Sequence, residues 1–114
     1  MPYTLYLRES IPYYTGKKHD PSFEALLKDA GLLRYWHMPI GTLSQGWCQR
    51  LRLCVALCFK KSVIVLDEPM QHLDTQGKTW ILKKLYEINE KSNIILINQE
   101  KSDFFFIKKK IMLG

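Results

Sequence analysis

The sequence predicts an α/β layered domain built on parallel strands, and three observations carry that expectation. Two short apolar runs, Val63-Ile64-Val65-Leu66 and Ile94-Ile95-Leu96-Ile97, have the length and β-branched content of strands covered on both faces. Between them Ile81, Leu85 and Ile88 recur at helical spacing, while Lys83, Lys84, Glu87 and Glu90 occupy the opposite face. Strand, helix and strand in that order make a crossover, which sets the two strands parallel.

The other elements follow from punctuation and periodicity. Asp20-Pro21 opens a helix, with Asp20 as N-cap and Pro21 at the first helical position. Phe23, Leu26, Leu27 and Ala30 give it one apolar face, and Gly31 stops it. A connection containing Pro39 and Gly41 leads to Ser44, which caps a second helix running to about Phe59. Trp47, Leu51, Cys54, Val55 and Cys58 form the stripe of that helix, widened by Leu53, Ala56 and Leu57, so it is expected to be largely buried. The third helix spans about Thr75 to Glu90. Phe105 to Leu113 reads as a last strand, interrupted by Lys108 to Lys110 and so placed at a sheet edge. Met1 to Lys18, broken by Pro2, Pro12 and Gly16, is expected to be irregular. The expected organisation is an irregular segment over 1–19 and a single folded region over 20–114.

Composition narrows the class without naming it. With 114 residues there is chain for one small domain and a modest core. The net charge of +6 suits an acidic partner, a nucleotide or an anionic lipid surface and selects none of them. No nucleic-acid motif and no stripe of interleaved aromatic and basic residues is present, so no nucleic-acid partner is expected. No run approaches the roughly 18 to 20 apolar residues of a membrane-spanning helix, and Met1 to Tyr14 lacks the pattern of a secretory signal. A soluble or membrane-peripheral protein is expected. Cys48, Cys54 and Cys58 are odd in number and sit in one stretch, which fits a reducing compartment. Cys54 and Cys58 lie at i, i+4, yet no partnering Cys-His spacing accompanies them, and buried free thiols are the expectation. Phe, Tyr, Met, Ile, Asn and Lys supply 41 of the 114 residues, and Lys outnumbers Arg 13 to 4. All six have A/T-rich codons, which suits an organellar genome, an A/T-rich bacterium or a parasite nucleus.

The chemistry concentrates in three stretches. Asp67-Glu68 puts two carboxylates at the C-terminal edge of a parallel strand, where ligand sites in such sheets open. A hard cation such as Mg2+ takes oxygen ligands, and a neighbouring carboxylate can orient a water for attack on phosphate. Upstream, Leu43-Ser44-Gln45-Gly46-Trp47-Cys48-Gln49-Arg50 places a hydroxyl and a glycine at a helix N-terminus, where free amides cradle anions. Downstream, Gln71-His72-Leu73-Asp74 follows the carboxylates closely, and the second strand ends in Asn98-Gln99.

That order and spacing resembles the ATP-binding domain of ABC transporters. Leu43 to Arg50 is similar to the family's signature motif at Leu43, Ser44, Gly46, Gln49 and Arg50. Val63 to Pro69 resembles its Walker B strand with the catalytic glutamate at Glu68, and His72-Leu73-Asp74 resembles its D-loop. The fold class implied is a partial ABC-type P-loop NTPase domain, with 20–114 as its C-terminal half, comprising the signature part and the Walker B half of the sheet and lacking the Walker A half. Within that family, the run Ala25 to Leu33 leading into Thr42-Leu43-Ser44, the turn Asp74-Thr75-Gln76-Gly77 and the ending Gln99 to Leu113 resemble the ATP-binding subunit of the haem exporter of cytochrome c maturation.

The resemblance implies roles. Ser44 and Gly46 would contact a nucleotide bound mainly by another subunit, Asp67 would hold Mg2+ through water, and Glu68 would polarise the attacking water. Asp74 would help join two nucleotide sites, and Asn98 stands where the family has its switch histidine. Three features depart from the family pattern: Gln45, Trp47 and Asn98. The indole of Trp47 is expected to crowd the phosphate cradle. The phosphate-loop pattern G-x-x-x-x-G-K-[ST] does not occur in the 114 residues. Gly77-Lys78-Thr79 imitates its end, but His72 stands where the first glycine belongs. ATP and Mg2+ are therefore expected only with a partner polypeptide that completes the sheet, alongside the membrane subunits of an ABC complex, and no hydrolysis is expected from the chain alone. The alternative is a non-catalytic structural subunit of an organellar assembly. The expected place is the matrix side of a mitochondrial inner membrane, or a bacterial cytoplasmic face.

Overall fold

A computed structural model describes residues 2–59, 63–89, 93–97 and 110–113. The N-terminal segment is not irregular. Tyr6 pairs with Pro39 in an antiparallel bridge, supported by bonds from Leu7 N–H to the Met38 carbonyl and from Ile40 N–H to the Leu5 carbonyl, both 2.8 Å. A 3-10 turn then leads into α1 (Ser10–Thr15). Pro12 does not break this helix because it sits in the first turn, where a backbone N–H has no intrahelical partner to lose. Gly16 closes it in the left-handed region at φ 71°, its N–H bonded to the Pro12 carbonyl at 3.0 Å.

Helix α2 (Pro21–Asp29) starts as the sequence predicts, with Asp20 accepting a bond from Phe23 N–H at 3.0 Å. Helix α3 (Gln45–Cys58) begins at Ser44, whose hydroxyl accepts from Trp47 N–H at 3.3 Å. Strand β1 (Val63–Asp67), helix α4 (Thr75–Ile88), strand β2 (Asn93–Ile97) and strand β3 (Lys110–Leu113) complete the described chain. The three strands are parallel in the order β1-β2-β3, with Val63 opposite Asn93 and Ile94 opposite Lys110. The expected final strand is thus present from Lys110 onward, at a sheet edge; the rest of Phe105 to Leu113 lies outside the described residues.

Helix α3 separates two apolar clusters. Its Leu51 and Cys54 pack with Leu7, Ile11, Phe23, Leu27, Leu32 and Ile40. Its Leu53 and Leu57 pack with Ile64 and Leu66 of β1, Ile81 and Leu85 of α4, and Ile94 of β2. A pair between Lys84 and Asp29, 2.6 Å apart, ties α4 to α2. The exposed carboxylate limits it to a fraction of a kcal/mol up to about 1 kcal/mol.

One expectation fails in an informative way. The β1 run was expected to be covered on both faces, yet its burial alternates, with Ile64 and Leu66 inside and Val63 and Val65 exposed at 43% and 56%. Within the described residues α3 and α4 cover one face of the sheet, and the face carrying Val63 and Val65 has no comparable cover. β-branched residues on an open face are the composition of a strand meant to be covered twice.

Candidate functional site

The loop from the end of β1 to the start of α4 is held against the N-terminal turns of α3. Glu68 follows β1 in the left-handed region at φ 47°, and His72 repeats that conformation at φ 65°. Each costs a non-glycine residue about 1–2 kcal/mol, so the loop needs fixed partners. Glu68 N–H donates to the Ile97 carbonyl at 2.7 Å, and the Glu68 carbonyl accepts from Gln71 N–H at 3.1 Å. The buried Gln49 side chain donates its amide to the Pro69 carbonyl at 3.2 Å, with the Glu68 carbonyl 3.5 Å from the same nitrogen.

Gly46 meets the same loop from above. A β-carbon at that position would lie 2.8 Å from the His72 carbonyl oxygen, a separation that side chains do not tolerate. At a helix N-terminus this glycine permits close approach by a phosphate. The structure gives it a second requirement inside the chain, because α3 and the loop touch backbone to backbone there.

Arg50 is the hub. Its guanidinium is almost fully buried, donating to the Ala30 carbonyl at 2.8 Å and to the Asp74 carboxylate at 2.9 Å. It also stacks 4.2 Å from the centre of the Trp47 ring. Trp47 makes an edge contact with Tyr35, and its far ring edge approaches Gly31. The indole was expected to crowd the phosphate cradle; it reaches back toward the end of α2 and forms one wall of a recess beside Ser44 and Gly46.

Asp74 does three things. It caps α4 by accepting from Gly77 N–H at 2.8 Å, pairs with Arg50, and faces the recess. The Gly77 bond first, and then Arg50, hold its carboxyl below the ordinary aspartate value. Its contribution to stability is therefore present above the unfolded pKa and fades as pH falls through the folded one. Gly77 is buried, and a β-carbon there would lie 3.1–3.2 Å from the Asp74, Arg50 and Leu73 side chains, which would have to shift. That accounts for the glycine of Gly77-Lys78-Thr79 without any phosphate.

Ser44, Gly46 and Asp74 thus come together in one recess of about 180 Å3, with Trp47, Arg50, His72 and Leu73. Asp67 and Glu68 do not line it. They stand at the end of β1, Asp67 exposed and Glu68 half-buried, coupled to α3 through Gln49. Asn98 lies outside the described residues. The amides of Gln45 and Gly46 precede the first intrahelical bond, made by Cys48 N–H to the Ser44 carbonyl, so they are the free donors of the helix start. Among the described residues no three His, Cys, Asp or Glu side chains gather as a metal site. A hard cation at Asp67 would need oxygens from water and phosphate to fill its coordination shell, and an exposed carboxylate suits that arrangement. Burial pushes the Cys54 thiol up, and both Cys54 and Cys58 point at backbone carbonyls, as expected of structural thiols.

A family model described as ABC transporter matches residues 3–71, from the N-terminal segment through β1 and the carboxylate pair. The chain belongs to the ABC transporter family. It is similar to the phosphonates import ATP-binding protein PhnC of Escherichia coli K12, at 29% identity over 94 residues, covering 82% of this chain and 36% of that protein. It is also similar to a probable metal transport system ATP-binding protein of Chlamydia muridarum, at 32% over 105 residues, covering 86% and 44%. A crystal structure of the complex of archaeal ribosomal stalk protein aP1 and ribosome recycling factor aABCE1 superposes with a TM-score of 0.78 at 17% identity, covering all of this chain and 23% of that one. This last likeness concerns the fold. The chain spans less than half the length of the curated relatives it matches. The match starts at residue 3 and so takes in the helical N-terminal segment. No described helix is long and apolar enough to cross a membrane.

Proposed function

We propose that these residues form the signature and Walker B portion of an ABC ATPase, the second half of its nucleotide-binding domain, working with a phosphate loop supplied from outside the 114 residues. The observation that carries this reading is the joint placement of Ser44, Gly46 and Asp74 around one recess, with Asp67-Glu68 held apart at the strand end. Separate placement suits residues that serve two different nucleotides, one across an interface and one beside the sheet.

In this reading the α3 amides and the Ser44 hydroxyl bind the phosphates of a nucleotide presented by a facing subunit. Asp67 would hold Mg2+ through water; bound there, Mg2+ would neutralise phosphate charge. Glu68 would accept a proton from, or orient, the attacking water. The turned-back indole of Trp47 favours an open cradle over the structural-subunit alternative. The likeness to the haem exporter of cytochrome c maturation rests on the sequence runs given above. The relatives named here are called after phosphonate and metal transport and are bacterial, so they support neither haem as cargo nor a mitochondrial place. A peripheral position on a bacterial cytoplasmic face, beside membrane subunits, fits them.

The open face at Val63 and Val65 supplies the test. Unpaired strand edges and exposed β-branched residues drive association. The chain expressed alone is expected to self-associate, and to become a defined complex with a polypeptide carrying the phosphate-loop half. Sedimentation as a soluble, cooperatively folding monomer would count against the reading.

A further inference from the structure

We propose that Gln49 is a positioning residue for Glu68, linking the signature helix to the carboxylate at the end of β1 within one chain. The inference rests on the ATPase reading for its consequence and on geometry alone for its mechanism. Glu68 occupies a left-handed backbone conformation, which a glutamate does not hold without restraint. On its N-terminal side the restraint is the β2 bond from Glu68 N–H to the Ile97 carbonyl. On its C-terminal side the peptide leaves toward Pro69, which has no N–H to donate. The Glu68 carbonyl accepts from Gln71 N–H at 3.1 Å within the loop, and the Gln49 amide joins this point to α3, 3.5 Å from the Glu68 carbonyl and bonded to the Pro69 carbonyl at 3.2 Å.

Gln49 is nine-tenths buried, so its donors have no water to fall back on. Its helix is itself fixed to the loop two further times. Gly46 abuts the His72 carbonyl, and Arg50 binds Asp74. Gln49 is the member of this set that holds the peptide directly after the carboxylate, through the Pro69 carbonyl. A movement of α3, such as engagement of its N-terminus by a nucleotide would produce, is thereby passed to the Glu68 backbone without leaving the chain.

The test uses Gln49→Met, which keeps length and volume and removes the donor, and Gln49→Glu, which keeps the shape and turns an acceptor toward two carbonyls. Hydrogen exchange by mass spectrometry on the full chain, in the assembly it forms, reads peptides covering 66–74, α3 and α4. Both variants are expected to exchange at least tenfold faster over 66–74, with α3 and α4 protected as before. In an assembly that hydrolyses ATP, kcat is expected to fall on the order of 100-fold with KM little changed, the signature of a displaced group rather than lost binding. Unchanged exchange over 66–74 in both variants would overturn the inference. Equal loss of protection in α3 would also overturn it, since that assigns Gln49 to helix packing. Loosening of 66–74 in an assembly without ATP turnover would sustain the positioning role and reject the ATPase reading.

Discussion

Replacing Glu68 by glutamine is expected to lower ATP turnover of the completed ATPase by about 10^2- to 10^4-fold, with nucleotide binding preserved. The size follows from removing a general base or water-orienting group, which contributes that range in other enzymes. The substitution is conservative in shape, and glutamine tolerates the left-handed backbone at position 68 no worse than glutamate does. The Glu68 N–H bond to Ile97 and the carbonyl contacts with Gln71 and Gln49 involve only the backbone of residue 68. Because the change keeps shape and volume, fold and assembly should survive, and the loss should appear in kcat with KM near its starting value. Steady-state ATPase assays of the assembled complex read this directly. Turnover within twofold of the unmodified complex would assign Glu68 no catalytic part and return the structural-subunit alternative to first place.

Arg50→Ala is expected to cost the largest share of stability of any single charged residue, about 2–4 kcal/mol. Three contacts are at stake, and their magnitudes decide which matters. The Asp74 side chain is 69% exposed, so solvent screens the ion pair and leaves it the smallest of the three. The bond to the Ala30 carbonyl is charge-assisted and buried, worth about 1.5–3 kcal/mol, and its loss leaves that carbonyl without its donor. The stacking on Trp47 adds about 0.5–2 kcal/mol. Arg50→Lys should recover only part, because one ammonium cannot reach both acceptors and offers no plane to the indole. Asp74→Asn keeps an oxygen to cap α4 and should cost much less than Arg50→Ala. Denaturant unfolding followed by tryptophan fluorescence separates these. An Asp74→Asn loss as large as that of Arg50→Ala would show that the exposed pair, and not the buried bond, carries the hub.

Much of this architecture is legible in the sequence, and the parts that are not have physical reasons. Caps are local: Asp20 before Pro21, and Ser44 before the α3 stripe, bond to amides three residues on, so a linear reading finds them. Parallel pairing of β1 and β2 follows from the intervening helix. Burial of Val63 and Val65 was expected and is not found, because an apolar run shows that a strand wants cover on both faces without showing which cover lies within these residues. The N-terminal helix was missed because Pro12 reads as a breaker unless its place in the first turn is known.

The site was half visible. Residue types at Ser44, Gly46, Asp67, Glu68 and Asp74 carried the family likeness, and Asp74 directly before Thr75 could have been read as the α4 cap it proves to be. Gln49 and Arg50 were matched as letters of a motif, but their bonds to Pro69, Ala30 and Asp74 span 20 to 24 residues, and no periodicity encodes those. The direction of the Trp47 ring was equally hidden, since it depends on Gly31, Tyr35 and Arg50 at once.

The central claim is that these residues supply one part of a nucleotide site and depend on a phosphate loop from elsewhere. Backbone amides and a lysine of such a loop provide most of the binding to β- and γ-phosphates in P-loop enzymes. Calorimetric titration of the purified 114-residue chain with Mg-ATP tests the claim most directly. No binding in the micromolar range is expected for the chain alone, and binding is expected when a chain bearing the phosphate loop is added. Micromolar affinity of this chain by itself would contradict it.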